Sequence, residues 1–277
     1  MNDLMREPFL KAMGDRYGTH NIHGAPWNDT LALLLTHRSI RAYRPDPLPP
    51  QTLETLIAAA QSAATSSNLQ TWSVVAVENP DRKATLSQFA GNQAHIRQCP
   101  LFLVWLADLA RLHHVASQRN MTTEGLDYLE MFLTAVIDAA LAAQNAAIAA
   151  ESLGLGTVYI GGMRNQPEAV GETLQLPPHL FAVFGLCVGY PDSAKPAAIK
   201  PRLPQAAVLH RETYDLAGQD AAIADYNNTM QKFYQSQQMN VAGDWVEHSV
   251  KRIATAQALS GRDRLRGILH KLGFPLL

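Results

Sequence analysis

A long alanine-rich segment is the sequence feature that most restricts how this chain can fold. Nine of the sixteen residues from 135 to 150 are alanine, within a helical pattern that extends over Glu124–Leu153. Side chains this small allow neighbouring backbones to approach closely, so a helix built from them can pack on several sides at once. Gly154 and Gly156 follow it and favour a helix end. The sequence therefore predicts one long central helix around which the other elements of a domain are arranged.

Polar residues make this segment a poor candidate for a membrane span. Asp138, Gln144 and Asn145 interrupt it, whereas a bilayer span needs about 20 mostly apolar residues. The first 26 residues of the chain have acids among their bases and no apolar core of signal-peptide length. We therefore expect a cytoplasmic protein that has no membrane partner.

Strand-like segments alternate with helical ones along the chain. The strands are predicted at Trp72–Glu78, Leu101–Ala107, Thr157–Ile160 and Ala182–Gly189. Further helices are predicted at Thr30–Thr36, Pro50–Ala63, Pro80–Ala90, Gln166–Leu174 and Thr213–Tyr234, the first of them capped by Asn28 or Asp29. This order indicates an α+β fold of three layers, α/β/α, in which helices flank a small mixed sheet. It leaves the direction of each strand open.

The two ends of the chain differ in composition from its middle. Residues 1–26 are polar and look like a loose N-terminal extension closed by Pro26. Residues 27–236 hold the predicted strands and most of the predicted helices. Residues 237–277 have few apolar side chains for their length, so we expect a helical arm that packs on another surface. We place its helices near Trp245–Leu259 and Asp263–Leu272.

Two basic clusters are the strongest candidates for a ligand site. Lys and Arg total 23 against 24 Asp and Glu, and a net charge of −1 argues against a general nucleic-acid binder. The local clusters remain: His37, Arg38, Ser39 and Arg41 in one, Lys200 and Arg202 in a proline-rich segment in the other. Arginine reads phosphate with a bidentate fork and lysine adds a point charge, so together they could hold one phosphate monoester. Two unrelated surface clusters are the alternative.

Several common chemistries lack their sequence signals. Gly154-Leu-Gly156 follows a helix and enters a strand, the reverse of the dinucleotide fingerprint, so it reads as a helix stop. Neither a P-loop nor a G-x-S-x-G motif is present. His113-His114 lacks the spacing of a metal site, and we expect no metal. Cys99 and Cys187 are too few for a disulfide framework or a cysteine-based zinc site, and Cys187 reads as a buried inert thiol.

Three polar or flexible segments accompany the basic clusters. One is a hydroxyl-bearing loop, one contains Gln93, and one is a strand end whose glycines leave backbone N–H groups open to a flat ring. The residues concerned are Thr65, Ser66, Ser67, Gln93, Tyr159, Ile160, Gly161 and Gly162.

With these segments the chain resembles the FMN-dependent nitroreductase superfamily, and within it the oxygen-insensitive, NADPH-preferring nitroreductase and flavin reductase branch. The resemblance covers roughly residues 28–275. The matching segments are THRSIRAY (36–43), the TSS–NLQ loop (65–70), GNQAH (91–95), AAQNAAIAAESLGLGTVYIGGMRN (142–165), FGLCVGY (184–190) and IKPRLP (199–204). It implies the nitroreductase-like fold and a homodimer whose two subunits share the flavin sites, with the C-terminal arm packing on the partner.

The resemblance also implies a role for each candidate residue. His37, Arg38 and Ser39 would hold the FMN phosphate and ribityl chain, with Lys200 and Arg202 completing the phosphate cage. At the ring, Arg41 would stabilise the negative charge of reduced flavin. The remaining contacts with the ring or ribityl chain would come from the partner's hydroxyl loop (Thr65, Ser66, Ser67), from Gln93, and from the strand end (Tyr159, Ile160, Gly161, Gly162).

The resemblance implies ping-pong reduction of nitroaromatics and quinones, which are small flat electrophiles. NADPH or NADH would be the electron donor, and no side chain would act as acid or base.

Residues 235–243 hold no arginine, whereas close relatives bind the 2′-phosphate of NADPH with arginines at this place. Arg164, Lys251 or Arg252 would have to take over this contact, or NADH would be the donor. A flavin reductase that supplies reduced FMN to a partner enzyme is the alternative. A flavin- or phosphate-binding sensor without turnover is a third reading.

Overall fold

The computed structural model describes residues 6–18 and 26–277, which divide into two compact units. One unit comprises residues 39–196 and 260–277. The other contains residues 197–259 and the described residues up to 38. The helices are α1 (Arg6–Tyr17), α2 (Asp29–Thr36), α3 (Thr52–Gln61), α4 (Pro80–Phe89), α5 (Ala94–Gln98), α6 (Ala110–Gln118), α7 (Leu129–Ser152), α8 (Pro167–Leu174), α9 (Asp220–Ser236), α10 (Trp245–Lys251) and α11 (Leu265–Lys271).

The larger unit is built on a four-stranded sheet. Its strands are β1 (Trp72–Val77), β2 (Leu101–Asp108), β3 (Gly156–Ile160) and β4 (Leu180–Gly189), in the spatial order β1-β2-β4-β3. The predicted α+β fold with a small sheet is confirmed. The expected mixture of directions is wrong for the four strands, because every neighbouring pair is antiparallel. The one parallel pairing among the described residues is a single bridge between Ser39 and Thr157.

The predicted central helix is confirmed as α7. Its alanine face is fully buried and packs on β2, β4 and α3 through residues such as Trp105, Leu186 and Leu56. The helix begins at Leu129, because residues Glu124–Asp127 form a 3₁₀ turn before it. By length and composition α7 would also pass as a membrane span, the one such helix in the described ranges. Core helices of globular domains meet the same criteria, and the buried alanine face of α7 fits that explanation.

The end of the C-terminal arm packs on its own chain. Leu269 of α11 and Phe274 are buried in the same apolar cluster as Phe181 of β4. The chain terminus is tied down as well, since the Leu277 amide donates to the Asp127 carbonyl at 3.0 Å. These buried apolar side chains correct the expectation that the whole arm lies on the partner subunit. The packing of residues 237–259 on a partner stays a prediction.

The smaller unit contains a helix where the sequence suggested a loose extension. Phe9, Ala12 and Arg16 of α1 are spaced three and four residues apart, and all three are buried on one face. Phe9 packs against Trp27, with ring centroids 6.2 Å apart. Residues 1–5 and 19–25 of the predicted extension lie outside the described ranges. The predicted α2 is confirmed with its cap, since the Asn28 side chain accepts from the Leu31 amide at 2.9 Å.

Candidate functional site

The second half of the first basic cluster, from Ser39 to Arg41, runs beside β3. Ser39 forms its bridge to Thr157, and the Ile40 amide donates to the Thr157 carbonyl at 2.9 Å. Gly156 makes this approach possible, because a Cβ there would lie 2.6 Å from Cγ1 of Ile40. Two motifs more than a hundred residues apart in sequence are thus in direct contact, and Ser39 and Arg41 lie beside the strand that ends at Tyr159–Gly162.

A second close approach joins the end of β3 to the Gln93 segment. Gly162 is buried, and a Cβ there would lie 2.8 Å from the Ala90 carbonyl oxygen and 2.9 Å from its Cα. The same carbonyl accepts a hydrogen bond of 2.7 Å from Nε2 of Gln93. Ala90 therefore connects the glycine turn to Gln93 by backbone packing on one side and a side-chain hydrogen bond on the other.

The two glycines of this turn should respond differently to substitution. We expect Gly162→Ala to lower the free energy of unfolding by about 1–3 kcal/mol, because the added methyl group meets backbone that cannot rotate away. Gly161→Ala is the matched control, since its Cβ would meet only the guanidinium tip of Arg164, at 3.3 Å. Urea unfolding of both variants measures this, and equal destabilisation would contradict the packing described.

Arg41 is exposed, and its charge acts on His95 in the segment that follows Gln93. Burial, and then the charge of Arg41, lower the pKa of His95, which belongs to α5 directly after Gln93. The fold therefore brings together Ser39, Arg41, Gln93 and the strand end at Tyr159–Gly162.

The side chain of Tyr159 lies against other side chains of its own unit. Its hydroxyl donates to Oε1 of Gln144 at 3.3 Å, and its ring packs edge-on against Phe184, with centroids 5.2 Å apart. Burial, and secondarily the Glu151 carboxylate, raise the pKa of Tyr159. The phenol therefore stays protonated at neutral pH, and Tyr159 contributes a neutral side chain to the strand end.

The hydroxyl loop is held by a residue that the sequence analysis treated only as an interruption. Asp138 of α7 is 1% exposed. Its carboxylate accepts from the hydroxyls of Thr65 (2.6 Å) and Thr71 (3.0 Å) and from the amides of Ser66 and Thr71 (both 3.1 Å). The Thr65 hydroxyl thus donates its hydrogen bond within its own chain. Ser67 of the same loop has a left-handed backbone conformation, with φ at 48°. In the sequence, the one signal for this role was the presence of a single acidic residue within the alanine-rich segment.

The hydroxyl loop lies apart from the other candidates of the larger unit. It leads into β1, whereas Ser39 and Tyr159–Gly162 belong to β3 and its neighbour, and β1 and β3 are the two edge strands. With two strands between them, these edges are about 14 Å apart at the usual strand spacing. Thr65, Ser66 and Ser67 are therefore not brought together with β3 by the sheet of a single chain.

His37 and Arg38 of the first basic cluster meet Lys200 and Arg202 in the smaller unit. The Arg202 amide donates to the Arg16 carbonyl at 3.0 Å. The Arg16 guanidinium in turn donates to the carbonyls of His37 at 2.6 Å and Lys200 at 3.5 Å. The side chains of Arg38 and Arg202 are exposed, and the hydrogen bonds described for them go to carbonyls of their own segments.

Two cavities are relevant to ligand binding. One of about 480 Å³ lies in the smaller unit and is lined by Arg38, Ile199 and neighbouring residues of α1 and α9. Another, of about 630 Å³, lies in the larger unit between α6 and the start of α7. It is mostly apolar and contains none of the predicted site residues, whereas the first includes Arg38. No cluster of His, Cys, Asp or Glu suited to a metal ion occurs in residues 6–18 and 26–277.

Two of the suggested NADPH-binding cations already have partners. Nη1 of Arg164 donates to the Val183 carbonyl, and burial lowers the pKa of this guanidinium, with a smaller effect of Arg262. Lys251 pairs with Glu247 of its own helix at 3.4 Å. Neither contact involves a residue of the predicted flavin site, and the assignment of a nucleotide phosphate to them stays a prediction.

Comparisons with known proteins agree on one family. The model described as "Nitroreductase family" matches residues 34–190, and "Nitroreductase family, C-terminal domain" matches residues 200–277. The chain is 43% identical over 210 residues to the FMN reductase (NADPH) of Bacillus subtilis, covering 75% of this chain and 84% of that one. It is 36% identical over 246 residues to the oxygen-insensitive NADPH nitroreductase of Salmonella typhimurium, covering 88% and 98%. The structure of B. megaterium NfrA2 superposes with a TM-score of 0.84 at 38% identity, covering 91% and 100%.

Proposed function

Since the chain belongs to the nitroreductase family, we infer that it is an FMN-dependent NAD(P)H oxidoreductase that reduces nitroaromatics and quinones in two-electron steps. The observation that carries this inference is the meeting of two distant basic segments. The contacts of Arg16 with His37, Lys200 and Arg202 hold them side by side. Several cations in one place bind a phosphate monoester through charge-assisted hydrogen bonds.

The residues present fit the cofactor that the family implies. The phosphate end has exposed guanidiniums at Arg38 and Arg202. The ring end has a strand terminus whose glycine at 162 admits no side chain, with Arg41 and Gln93 nearby. We propose that His37, Arg38, Ser39, Lys200 and Arg202 bind the phosphate and ribityl chain. Bound FMN supplies the hydride and electron chemistry.

The protein's own contribution is to bind the flavin, to orient its ring and to stabilise its reduced form. We assign to Arg41 the stabilisation of negative charge at the pyrimidine edge, because a fixed cation lowers the free energy of the reduced ring. The amides of Gly161 and Gly162, the side chain of Gln93, and the backbone of Tyr159 and Ile160 would contact the ring edge. No side chain is needed as acid or base.

We propose that the active form is a homodimer in which the partner's Thr65, Ser66 and Ser67 complete each site. The positions of β1 and β3 at opposite edges of the sheet support sharing of this kind. One face of α7 carries an exposed apolar side chain at every fourth position, each 43–57% exposed. An apolar stripe of this kind is typical of a surface that another protein covers, and we propose that a second copy of this chain covers it. The stripe consists of Leu129, Leu133, Ile137 and Leu141. A cytoplasmic location fits this assignment.

The substrates we propose are small flat electrophiles that alternate with the nicotinamide donor in ping-pong order. The alternative is a flavin reductase that releases reduced FMN to another enzyme, and it is favoured by the 43% identity to a protein named for that activity. Steady-state turnover with nitrofurazone, benzoquinone and free FMN separates the two activities.

Flavin content and reduction test the core of the proposal. The purified protein is expected to be yellow and to release FMN on denaturation. Rapid mixing with NADPH and with NADH should bleach the flavin absorption, and the ratio of the two rates gives the donor preference. A colourless protein that does not bind added FMN would refute the proposal. Bound flavin that neither nucleotide bleaches would indicate a sensor instead.

A further inference from the structure

The buried Arg16 of α1 has a position that no part of the flavin-binding pattern accounts for. It lies before residue 34, where the first family match begins, and in a segment that the sequence presents as a loose extension. Its side chain is only 5% exposed. Arginine is almost never this buried unless its donors are satisfied, so the contacts made by the guanidinium explain its placement.

Those contacts are with the backbone of both basic segments. Nε donates to the Leu35 carbonyl at 2.7 Å and Nη2 to the His37 carbonyl at 2.6 Å. Nη1 donates to the Lys200 carbonyl at 3.5 Å, and the Arg16 carbonyl accepts from the Arg202 amide at 3.0 Å. One residue thus joins the end of α2 to the proline-held segment, which is about 160 residues further along the chain.

The direction of these bonds matters for the ligand. In a trans peptide the C=O of one residue and the N–H of the next point to opposite sides. Because the His37 carbonyl is turned towards Arg16, the Arg38 amide is turned away from it. The planar fork of arginine can hold two carbonyls at a fixed spacing, whereas the point charge of lysine cannot.

We infer that Arg16 is a positioning residue for the FMN phosphate: its guanidinium holds the 37–38 and 200–202 segments at the separation at which Arg38, Lys200 and Arg202 bind one phosphate together. The inference rests on the proposed function. Arg16 acts through these two segments, because its guanidinium contacts their backbone carbonyls.

The test compares two ligands that differ only in the phosphate. Dissociation constants of FMN and of riboflavin are measured by flavin fluorescence on the full chain stripped of flavin, and the ratio of riboflavin Kd to FMN Kd reports the phosphate contribution. Arg16→Met keeps the aliphatic stem and removes every donor, and we expect it to lower this ratio at least about tenfold, the equivalent of one charge-assisted hydrogen bond. Arg16→Lys should give a smaller decrease.

A helix-packing control separates positioning from stability. Phe9→Ala removes the contact of α1 with Trp27 and leaves the guanidinium intact, so it should lower the melting temperature while keeping the ratio of the wild type. Arg16→Lys retains the charge and serves if Arg16→Met does not fold. An unchanged ratio in the Arg16 variants, or an equal decrease in Phe9→Ala, would overturn the inference while leaving the flavin assignment intact. A wild type that binds FMN no better than riboflavin would overturn both.

Discussion

Replacing Arg38 and Arg202 together by alanine is expected to weaken FMN binding by about 10²–10⁴-fold. Each charge-assisted hydrogen bond to a phosphate contributes about 1.5–3 kcal/mol, and the double variant removes at least two of them. A loss of about 3–6 kcal/mol corresponds to this range of dissociation constants. Isothermal titration of the flavin-free protein with FMN measures the effect, and riboflavin, which lacks the phosphate, should lose much less affinity than FMN.

The same variant should fold normally, which makes the binding result interpretable. The hydrogen bonds described for both guanidiniums go to carbonyls of their own segments, so removal of the side chains leaves the packing in place. Arg44→Ala is the matched control, because Arg44 is an exposed arginine that pairs with Asp46 at 3.4 Å and lies 4.9 Å from the Tyr190 ring centroid. FMN affinity within threefold of the wild type in the double variant would exclude the phosphate site.

Replacing Asp138 by alanine is expected to lower the free energy of unfolding by about 3–5 kcal/mol. The carboxylate accepts four hydrogen bonds from the 65–71 loop, and its removal leaves the buried amide and hydroxyl of Thr71 without their acceptor and frees the partly exposed donors of Thr65 and Ser66. Asp138→Asn keeps the shape but replaces one acceptor by a donor, and it should fall between alanine and the wild type. Denaturant unfolding monitored by tryptophan fluorescence gives the free energies.

A surface carboxylate provides the control for Asp138. Asp46 is half exposed and pairs with Arg44, so Asp46→Ala should change stability by less than about 0.5 kcal/mol. If the hydroxyl loop also binds flavin, Asp138→Asn should weaken FMN and riboflavin equally, because the loop is assigned to the ring and ribityl part. A change of under about 1 kcal/mol in Asp138→Ala would show that the loop is held by other contacts.

Local sequence patterns predicted most elements of the fold. The alanine-rich helix, the four strands and the capped α2 follow from periodicity and end signals, which act between residues near one another in the chain. Boundaries shifted where local signals compete: the predicted start at Thr213 moved to Asp220 in α9, and a 3₁₀ turn precedes α7. The prediction of a loose N-terminal extension was wrong, because residues Arg6–Tyr17 form α1. The buried face of this helix consists of Phe9, Ala12 and Arg16, and with only two apolar residues it gives no recognisable helical pattern of hydrophobic residues.

The candidate flavin residues were identified from the order and chemistry of short motifs, before any of them could be located in space. What the sequence by itself determined is therefore the set of elements, the cations and the glycines. The tertiary structure decided the strand directions, the placement of the hydroxyl loop at the edge opposite β3, and the hydrogen-bond partners of Asp138 and Arg16. A buried charge is stable only when it has hydrogen-bond partners. The partners of Asp138 and Arg16 are carbonyls, amides and hydroxyls far away in the sequence. Only the fold brings these groups together, so no local sequence pattern could predict the pairing.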